Sequence, residues 1–245
     1  MAVSGGGKNR VTLSGRLRML ADMVTAGGCA ADVGCDHGFL PIYLVQTGKC
    51  PKCLAMDVRK GPLSGAKEHI ASCGMGEYIE TRLSDGLAAY HMGEAQTLIC
   101  AGMGGRLMEK ILREGGEKSR SFQELILQPQ SEIPEFRIFL RKEGFLVTQE
   151  DAVCEDRKFY FAMKAVYAGQ ELPADDELYD LYGKLLLLGK HPVLKQYLSK
   201  QRQAVEELIT RLCGADSGRG EARIRELSLE KAHLERALEI VEKGR

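Results

Sequence analysis

Short apolar runs alternate with amphipathic stretches along the first part of the chain. The runs are bounded by Gly, Asp or Pro and predict five buried strands: Cys29–Val33, Cys53–Asp57, Tyr78–Leu83, Thr97–Ala101 and Glu124–Leu127. Most of the intervening stretches have helical spacing and predict helices: Leu40–Gln46, Leu63–Ser72, Leu107–Arg113 and Ile133–Lys142. Strands that alternate with helices predict right-handed crossovers and a parallel, doubly wound α/β sheet.

The alternation stops after the last of these helices. Phe145–Val153 and Phe159–Val166 are both rich in β-forming residues, and Cys154–Lys158 between them is too short for a crossover helix. The two runs therefore predict an antiparallel hairpin at the edge of the sheet. Five parallel strands followed by such a hairpin resemble the strand order of the Rossmann-like methyltransferases.

The C-terminal stretch predicts a helical coiled-coil hairpin. Charged residues become denser after residue 169, and Leu172–Asp176 is typical of a linker that leads into a helix cap. Apolar residues then follow a 4-3-4 rhythm on either side of a turn at Gly214–Gly220: Leu194, Leu198, Val205, Leu208 and Leu212, then Ile224, Leu227, Leu234, Leu238 and Val241. The pattern favours a protruding coiled coil over one more packed helical layer, and it predicts two domains, 1–169 and 170–245.

The composition is that of a globular protein that stays in the cytoplasm. Of the 245 residues, 44% are hydrophobic and 28% are charged, a balance that argues against disorder. No apolar run is long enough to span a membrane, and the first ten residues lack the apolar core of a secretory signal.

The 34 basic and 34 acidic residues cancel, so the global basic excess of many nucleic-acid binders is absent. A local excess exists, since Lys8, Arg10, Arg16 and Arg18 all precede the first acid, Asp22. This segment is either a solvated helix or an arm that contacts phosphates, and charge alone favours the former.

The eight cysteines are expected to be reduced in such a chain. Cys50-Pro-Lys-Cys53 is a CxxC, but no second pair of ligands follows at a matching distance, so no metal is expected.

An acidic glycine loop, Ala31–Gly38, follows the first strand. Gly34 and Gly38 permit a tight turn and close approach of the backbone to a ligand at the carboxyl end of the strand. The loop is not a G-x-G-x-x-G fingerprint, and the Asp36 carboxylate would repel a pyrophosphate placed there. S-adenosylmethionine carries a sulfonium, an ammonium and no phosphate, and it suits an acidic loop better. Asp32, Gly34, Asp36, His37 and Gly38 are therefore candidate cofactor residues.

Polar or glycine-rich residues also end the other strands. Asp57 closes the second strand, where a carboxylate can accept hydrogen bonds from both ribose hydroxyls, although a helix cap would also explain it. The third strand ends in Ser84, Asp85 and Gly86, and Asp85 could accept the amino group of an adenine. The fourth ends in Ala101-Gly102-Met103-Gly104-Gly105 and the fifth in Leu127-Gln128-Pro129-Gln130. Since these ends meet at one sheet edge, the sequence predicts a ligand site there.

Four segments closely resemble the bacterial tRNA (adenine-N1)-methyltransferases that act on position 22: AADVGCDHGFLPIYL, ICAGMGG, LILQPQSEIPEFRIFLRKEGF and EDRKFYFA. The resemblance runs from about Leu13 through the C-terminal helices. It implies a class I catalytic domain, S-adenosylmethionine as cofactor, a C-terminal coiled coil and tRNA as substrate. It further implies that the loop at Asp32, Gly34 and Gly38 lies along the cofactor, with Asp57 at its ribose and Asp85 at its adenine.

The expected reaction can proceed without a general base. Adenine N1 has an in-plane lone pair and no proton, so the absence of an Asn/Asp-Pro-Pro-aromatic motif after the fourth strand need not impair the reaction. Asp36 and His37 are the catalytic candidates, because a carboxylate can stabilise a cationic product. Arg10, Arg16, Arg18 and Gln128 are the substrate-binding candidates. Phe39, Tyr43, Tyr78 and Tyr90 could stack on an extruded base, but such residues more often belong to the core.

Three alternatives stay open from the residues alone. A methyltransferase of the same fold could act on another RNA, a protein or a small molecule. A non-catalytic cofactor-binding module could use the helical hairpin as an interaction arm, although the intact glycine loop with Asp57 and Asp85 argues against it. An NAD-dependent oxidoreductase is disfavoured by Asp36 and by the terminal hairpin.

Overall fold

A computed structural model describes residues 10–214 and 220–243 and contains a seven-stranded sheet. Its strands are β1 (Ala30–Val33), β2 (Cys53–Asp57), β3 (Ile79–Leu83), β4 (Thr97–Met103), β5 (Glu124–Pro129), β6 (Phe145–Glu155) and β7 (Lys158–Tyr167). They lie in the order β3-β2-β1-β4-β5-β7-β6. The first five strands pair in parallel, and β7 pairs antiparallel with both β5 and β6. The predicted Rossmann-like sheet with a terminal hairpin is confirmed.

Six helices accompany the sheet within the described residues: α1 (Gly15–Met23), α2 (Phe39–Gln46), α3 (Lys60–Ser72), α4 (Gly105–Gly115), the short α5 (Glu117–Arg120) and α6 (Ile133–Lys142). The Ser14 hydroxyl accepts a hydrogen bond from the backbone of Leu17 and so caps the start of α1. Helices α2, α3, α4 and α6 follow β1, β2, β4 and β5 respectively, as crossovers between parallel strands require.

Each face of the sheet has its own hydrophobic core. One core contains Leu98, Leu125 and Phe136 and lies under α4 and α6. The other contains Leu20, Ile42 and Ile99 and lies under α1, α2 and α3. Because both faces are covered, the central strands are apolar on both sides, and β1, β2 and β5 are buried along their whole length.

The chain divides into two compact units after Ala174. This division lies five residues beyond the predicted boundary at residue 169, and the segment after β7 is still hydrogen-bonded to α6. Leu172 donates its backbone N–H to Arg141 at 3.0 Å. Asp176 then caps the next helix, since its side chain accepts from the backbone of Leu178.

The second unit is helical. It contains α7 (Glu177–Tyr182), α8 (Lys184–Leu188), α9 (Pro192–Gly214) and α10 (Glu221–Lys243). Two interhelical ion pairs, Lys195 with Glu242 and Lys231 with Glu206, show that α9 and α10 pack antiparallel. The predicted helical pair is present, and most of the predicted turn at Gly214–Gly220 lies outside the described residues. A protruding position remains a prediction.

The predicted seam of this helical pair is buried in part. Seven of its residues are buried: Leu194, Leu198, Val205, Leu227, Leu234, Leu238 and Val241. Leu208 was placed in the same seam and is instead 37% exposed. Within the described part of the chain, no helix combines the length and apolar character that a membrane span requires.

Candidate functional site

A cavity of about 470 Å³ opens at the carboxyl ends of the parallel strands. Its walls come from the loops after β1, β2, β3 and β4 and from the start of α1. Strand β1 lies between β2 and β4, so the chain leaves it toward one side and later returns on the other. This reversal is where open α/β sheets hold their ligands, and the volume is typical of a small-molecule site.

The loop after β1 forms the floor of the cavity through unusual backbone angles. Gly34, Asp36 and Gly38 have φ values of +79°, +49° and +72°. The φ of Gly34 favours glycine, whereas the 2.9 Å contact of an added Cβ with Cε of Met103 involves the flexible end of a side chain that can move aside. Asp36 adopts the left-handed backbone conformation although it is not glycine. Non-glycine residues in this conformation are strained and occur often at functional sites.

Asp57 ends β2 at the cavity with one carboxylate oxygen already engaged. It is 5% exposed, and its Oδ1 accepts from the backbone N–H of Arg59 at 2.8 Å. Asp57 can therefore act both as a cap for α3 and as a ligand-binding residue. Its Oδ1 supports the turn into α3, and the second oxygen is available to a ligand.

Asp32 is the most perturbed carboxyl group of the cavity. Its burial, and secondarily the nearby Asp57 carboxylate, raises the pKa of Asp32 to about 7, while Arg16 opposes the shift. In the unfolded chain an aspartate loses its proton near pH 4. Between about pH 4 and about pH 7 the Asp32 carboxyl is therefore protonated in the folded protein and ionised in the unfolded chain.

Asp32→Asn is expected to remove a pH dependence of stability. The contribution of the protonated Asp32 is fully present below about pH 4 and is lost as the pH rises through about 7. From pH 4 to 7 the free energy of unfolding of the variant should therefore rise, relative to the unchanged protein, by ~1.4 kcal/mol per pH unit, a few kcal/mol in total. Urea unfolding across this range measures the effect, and parallel curves for the two proteins would contradict it.

The loop after β3 supplies three candidates that line the cavity, the exposed Asp85 and the buried Ser84 and Gly86. Asp85 is exposed and lines the cavity. Ser84 is buried, where its hydroxyl donates to the carbonyl of Gly86 at 2.8 Å and accepts from the backbone of Ala89 at 3.0 Å. Ser84 therefore shapes this loop, which leaves Asp85 as its ligand-facing side chain.

The end of β4 forms the wall opposite Asp57. Ala101, Gly102 and Met103 line the cavity, and Gly102 has a φ of +75°. The next glycines bring this wall close to the loop after β5, since a Cβ on Gly105 would lie 2.7 Å from the carbonyl oxygen of Ser131.

An aromatic cluster stands beside the cavity mouth, made of His37, Phe39 and His69. The rings of Phe39 and His69 are stacked with centroids 5.0 Å apart, and the ring of His37 lies 5.7 Å from Phe39. Nε2 of His37 lies 3.8 Å from the Asp36 carboxylate. Phe39 is 39% exposed and His37 also lines the cavity, so both present ring surface to a ligand.

The other three aromatic candidates lie elsewhere. Tyr90 is fully buried and stacks on Phe122, and Tyr78 packs against the core away from the cavity. Tyr43 lies under the guanidinium of Arg18.

Four predicted site residues do not line the cavity: Gly38, Gln128, Arg10 and Arg18. Gly38 begins α2 and packs against α3, where an added Cβ would meet that of Ala66 at 3.3 Å. Gln128 was predicted to bind substrate but is fully buried, because it lies within β5 and pairs in register with Ala101. Gln130, just beyond the end of β5, lines the cavity instead.

The three N-terminal arginines separate in the structure. Arg16 reaches the cavity. Arg18, two residues further along α1, points away and pairs with both carboxylate oxygens of Asp22 at 2.9 and 3.0 Å. Arg10 is exposed in the extended segment that precedes α1.

The structure adds cavity residues that the sequence patterns did not single out. Four of them are apolar: Leu17, Val58, Leu107 and Ile111. The polar ones are Arg59 and Gln130. Val58 and Leu107 are exposed hydrophobics, at 58% and 47%. Val58 directly follows β2 and Leu107 lies near the start of α4, and these positions are the feature of the sequence from which their place at the cavity could have been predicted.

Among residues 10–214 and 220–243, no group of three or more His, Cys, Asp or Glu side chains is arranged so that it could hold a metal ion. Cys50 and Cys53 are both buried with free thiols.

The fold and this cavity define a methyltransferase. A model of the methyltransferase domain matches residues 13–163. The tRNA (adenine(22)-N(1))-methyltransferase of Bacillus subtilis is 30% identical over 244 residues, covering 96% of this chain and all of the relative. The chain therefore belongs to the tRNA (adenine(22)-N(1))-methyltransferase family.

Two crystal structures extend the similarity. The B. subtilis m1A22 tRNA methyltransferase TrmK has a TM-score of 0.79 and 28% identity over 93% of this chain and 99% of its own. A Streptococcus pneumoniae protein, Sp1610, in complex with S-adenosyl-L-methionine has a TM-score of 0.82 and 29% identity over 93% of this chain and 100% of its own.

Proposed function

We propose that this chain transfers the methyl group of S-adenosylmethionine to N1 of adenine 22 in tRNA. The observation that carries the proposal is similarity over the whole length of a curated enzyme with that activity. It is supported by the cavity at the switch point of the sheet, which is lined by the candidate residues of four strand ends. Such a substrate would place the protein in the cytoplasm.

The residues of the cavity fit S-adenosylmethionine. Four carboxylates line it, those of Asp32, Asp36, Asp57 and Asp85, and they suit a ligand with hydroxyl, amino and cationic groups. Gly34 and Met103 both line the cavity, and the absence of a side chain at Gly34 permits close approach of a ligand to the backbone. We assign Asp57 to the ribose hydroxyls and Asp85 to the adenine amino group.

The cofactor, when bound, supplies an electrophilic methyl group on a sulfonium. The chain has to position the acceptor base and exclude water, since N1 of adenine has a lone pair and no proton to remove. Asp36 is the candidate for stabilising the positive charge that develops on the methylated base, and Nε2 of His37, the other catalytic candidate, lies 3.8 Å from its carboxylate.

Phe39 is the stacking residue that the structure favours for the target base. Of the four aromatic candidates it is the one that lines the cavity. Its ring is supported by His69 from behind, and the exposed Val58 and Leu107 continue the apolar rim. A stacking contact of this kind contributes about 1–3 kcal/mol per base.

The proposed function is tested by incubating unmodified tRNA with labelled S-adenosylmethionine and locating the modified nucleoside. The expected result is one methyl group per tRNA, at N1 of adenine 22. A tRNA with guanine at position 22 serves as the matched control and should acquire no label. Label at another position, or on protein alone, would overturn the proposal.

Arg10 is expected to contact the phosphate backbone of tRNA. Its exposed position before α1 permits such a contact, whereas Arg18 is held by Asp22. Arg10→Ala should raise the apparent KM for tRNA and flatten the salt dependence of binding by about one unit, with no change in KM for S-adenosylmethionine. Arg18→Ala is the matched control on the same segment. If the two variants behave alike over a salt series, the phosphate contact lies elsewhere.

A further inference from the structure

Gln130 is the first residue beyond β5, and it lies exposed on the lining of the cavity. Its backbone is fixed, because its N–H donates to the carbonyl of Met103 at 2.9 Å. Its side chain lies against the wall formed by β4, since Nε2 would be 3.7 Å from a Cβ built on Gly102. Within residues 10–214 and 220–243 the carboxamide makes no hydrogen bond, so its oxygen and its nitrogen are both available to a ligand.

The position of Gln130 separates it from the residues assigned to the adenosine of the cofactor. Asp57 and Asp85 stand at the ends of β2 and β3, whereas Gln130 follows β5. Two strands, β1 and β4, lie between β2 and β5. Since neighbouring strands are about 4.8 Å apart, the ends of β2 and β5 are separated by about 14 Å. Gln130 therefore faces the part of the cavity that is left for the acceptor base.

Gln130 supplies the side-chain oxygen acceptor of this wall. The residues that β4, α4 and α1 contribute to the lining are apolar or glycine, apart from Arg16. Arg16 can only donate, and its Nη1 is engaged with Oε1 of Gln128 at 3.0 Å. Its helix is held there by the Glu155 carboxylate, which accepts from the N–H groups of Gly15 and Arg16 at 2.7 and 3.2 Å. A base that enters this part of the cavity therefore meets a carboxamide that can both accept from an amino group and donate to a ring nitrogen.

Adenine offers the matching groups on the edge that carries its 6-amino group and N7. A glutamine carboxamide binds this edge with two hydrogen bonds, accepting from the amino group and donating to N7. In this arrangement N1 stays unpaired and can face the methyl donor. Guanine has an oxygen in place of the amino group and would set two acceptors against each other. We propose that Gln130 binds the amino group and N7 of the target adenine and so selects adenine over guanine, an inference that rests on the proposed function.

The test uses three tRNAs that carry adenine, 7-deazaadenine or purine at position 22. 7-Deazaadenine lacks the N7 acceptor, and purine lacks the amino group. The intrinsic reactivity of N1 differs among these bases, but the difference cancels when the unchanged chain and a variant are compared on the same tRNA. Gln130→Ala should lower kcat/KM for the adenine tRNA about ten- to hundred-fold. The loss should be several-fold smaller for each analogue, because one of the two hydrogen bonds is already absent.

A second variant separates the two hydrogen bonds. Gln130→Glu keeps an oxygen and removes the donor, so it should lose activity on the adenine tRNA and on the purine tRNA but little on the 7-deazaadenine tRNA. Gln123→Ala is the matched control, because Gln123 is an exposed glutamine just before the opposite end of β5. It should leave kcat/KM unchanged for all three tRNAs.

Calorimetry with S-adenosylmethionine distinguishes a contact to the base from a contact to the cofactor. Gln130→Ala should bind the cofactor within about two-fold of the unchanged chain. Cofactor binding weakened about ten-fold would assign Gln130 to the cofactor and overturn the inference. Equal losses of kcat/KM on the three tRNAs, or no loss on any, would overturn it as well. An unchanged chain that leaves the adenine tRNA unmethylated would instead overturn the proposed function.

Discussion

Asp57→Ala is expected to weaken S-adenosylmethionine binding about ten- to hundred-fold. The substitution removes a buried carboxylate that accepts from the Arg59 backbone through one oxygen and faces the cavity with the other. A hydrogen bond to a charged group contributes about 1.5–3 kcal/mol, which corresponds to that range of affinity. Asp85→Ala should have a smaller effect of the same kind, because Asp85 is exposed and water can replace part of its contact.

Calorimetry with the cofactor measures both effects. Asp22→Ala is the matched control, since Asp22 is an exposed aspartate that pairs with Arg18 outside the cavity. Thermal unfolding without ligand shows whether the loss of the Arg59 hydrogen bond has also destabilised the fold. Unchanged binding in both cavity variants would contradict the assignment of these carboxylates to the cofactor.

A chain that ends at Ala174 is expected to bind S-adenosylmethionine within a few-fold of the full chain and to lose most of its affinity for tRNA. All seven strands, and every residue that lines the cavity, lie before this point. The end also preserves the hydrogen bond from Leu172 to Arg141. The lost part is the helical unit, which we expect to serve as an arm for the substrate.

Cofactor calorimetry and tRNA gel shifts on the shortened chain separate the possible outcomes. Methylation of tRNA at the full rate would show that α9 and α10 have a different role. Loss of cooperative unfolding would show that the helical unit is required for the fold. A chain that ends at Gln170 is a useful comparison, because it lacks the Leu172 contact and should be less stable.

The sheet could be predicted from the sequence because its central strands are buried on both faces. A fully buried strand is a continuous apolar run with sharp ends, and β2 was predicted with its observed bounds, Cys53–Asp57. The hairpin was predicted because the five residues Cys154–Lys158 exclude a crossover helix. The strand ends then located Asp57 and Asp85, since parallel strands bring their carboxyl ends to one edge.

The direction of individual side chains could not be predicted in the same way. Arg16 and Arg18 have the same chemistry and lie in the same helix, and the way α1 packs decides that one faces the cavity and the other solvent. Gln128 lies inside β5 and is buried, whereas Gln130 lies beyond the end of β5 and lines the cavity. Where β5 ends depends on its pairing with β4. The partners of Arg16 are more than one hundred residues away in sequence, so no local pattern could reveal them.

The hydrogen bond between the Glu155 carboxylate and the backbone of Gly15, at the start of α1, joins residues that are 140 positions apart. Such long-range contacts form late, since loop closure must precede them, and a ribosome supplies residues in order from the N-terminus. The glycine loop and its carboxylates can be assembled early in synthesis, but the arginine beside them is fixed after the hairpin has emerged and paired. In a nascent chain the start of α1 should therefore reach its native arrangement in a late step, after β6 and β7 have emerged from the ribosome and paired.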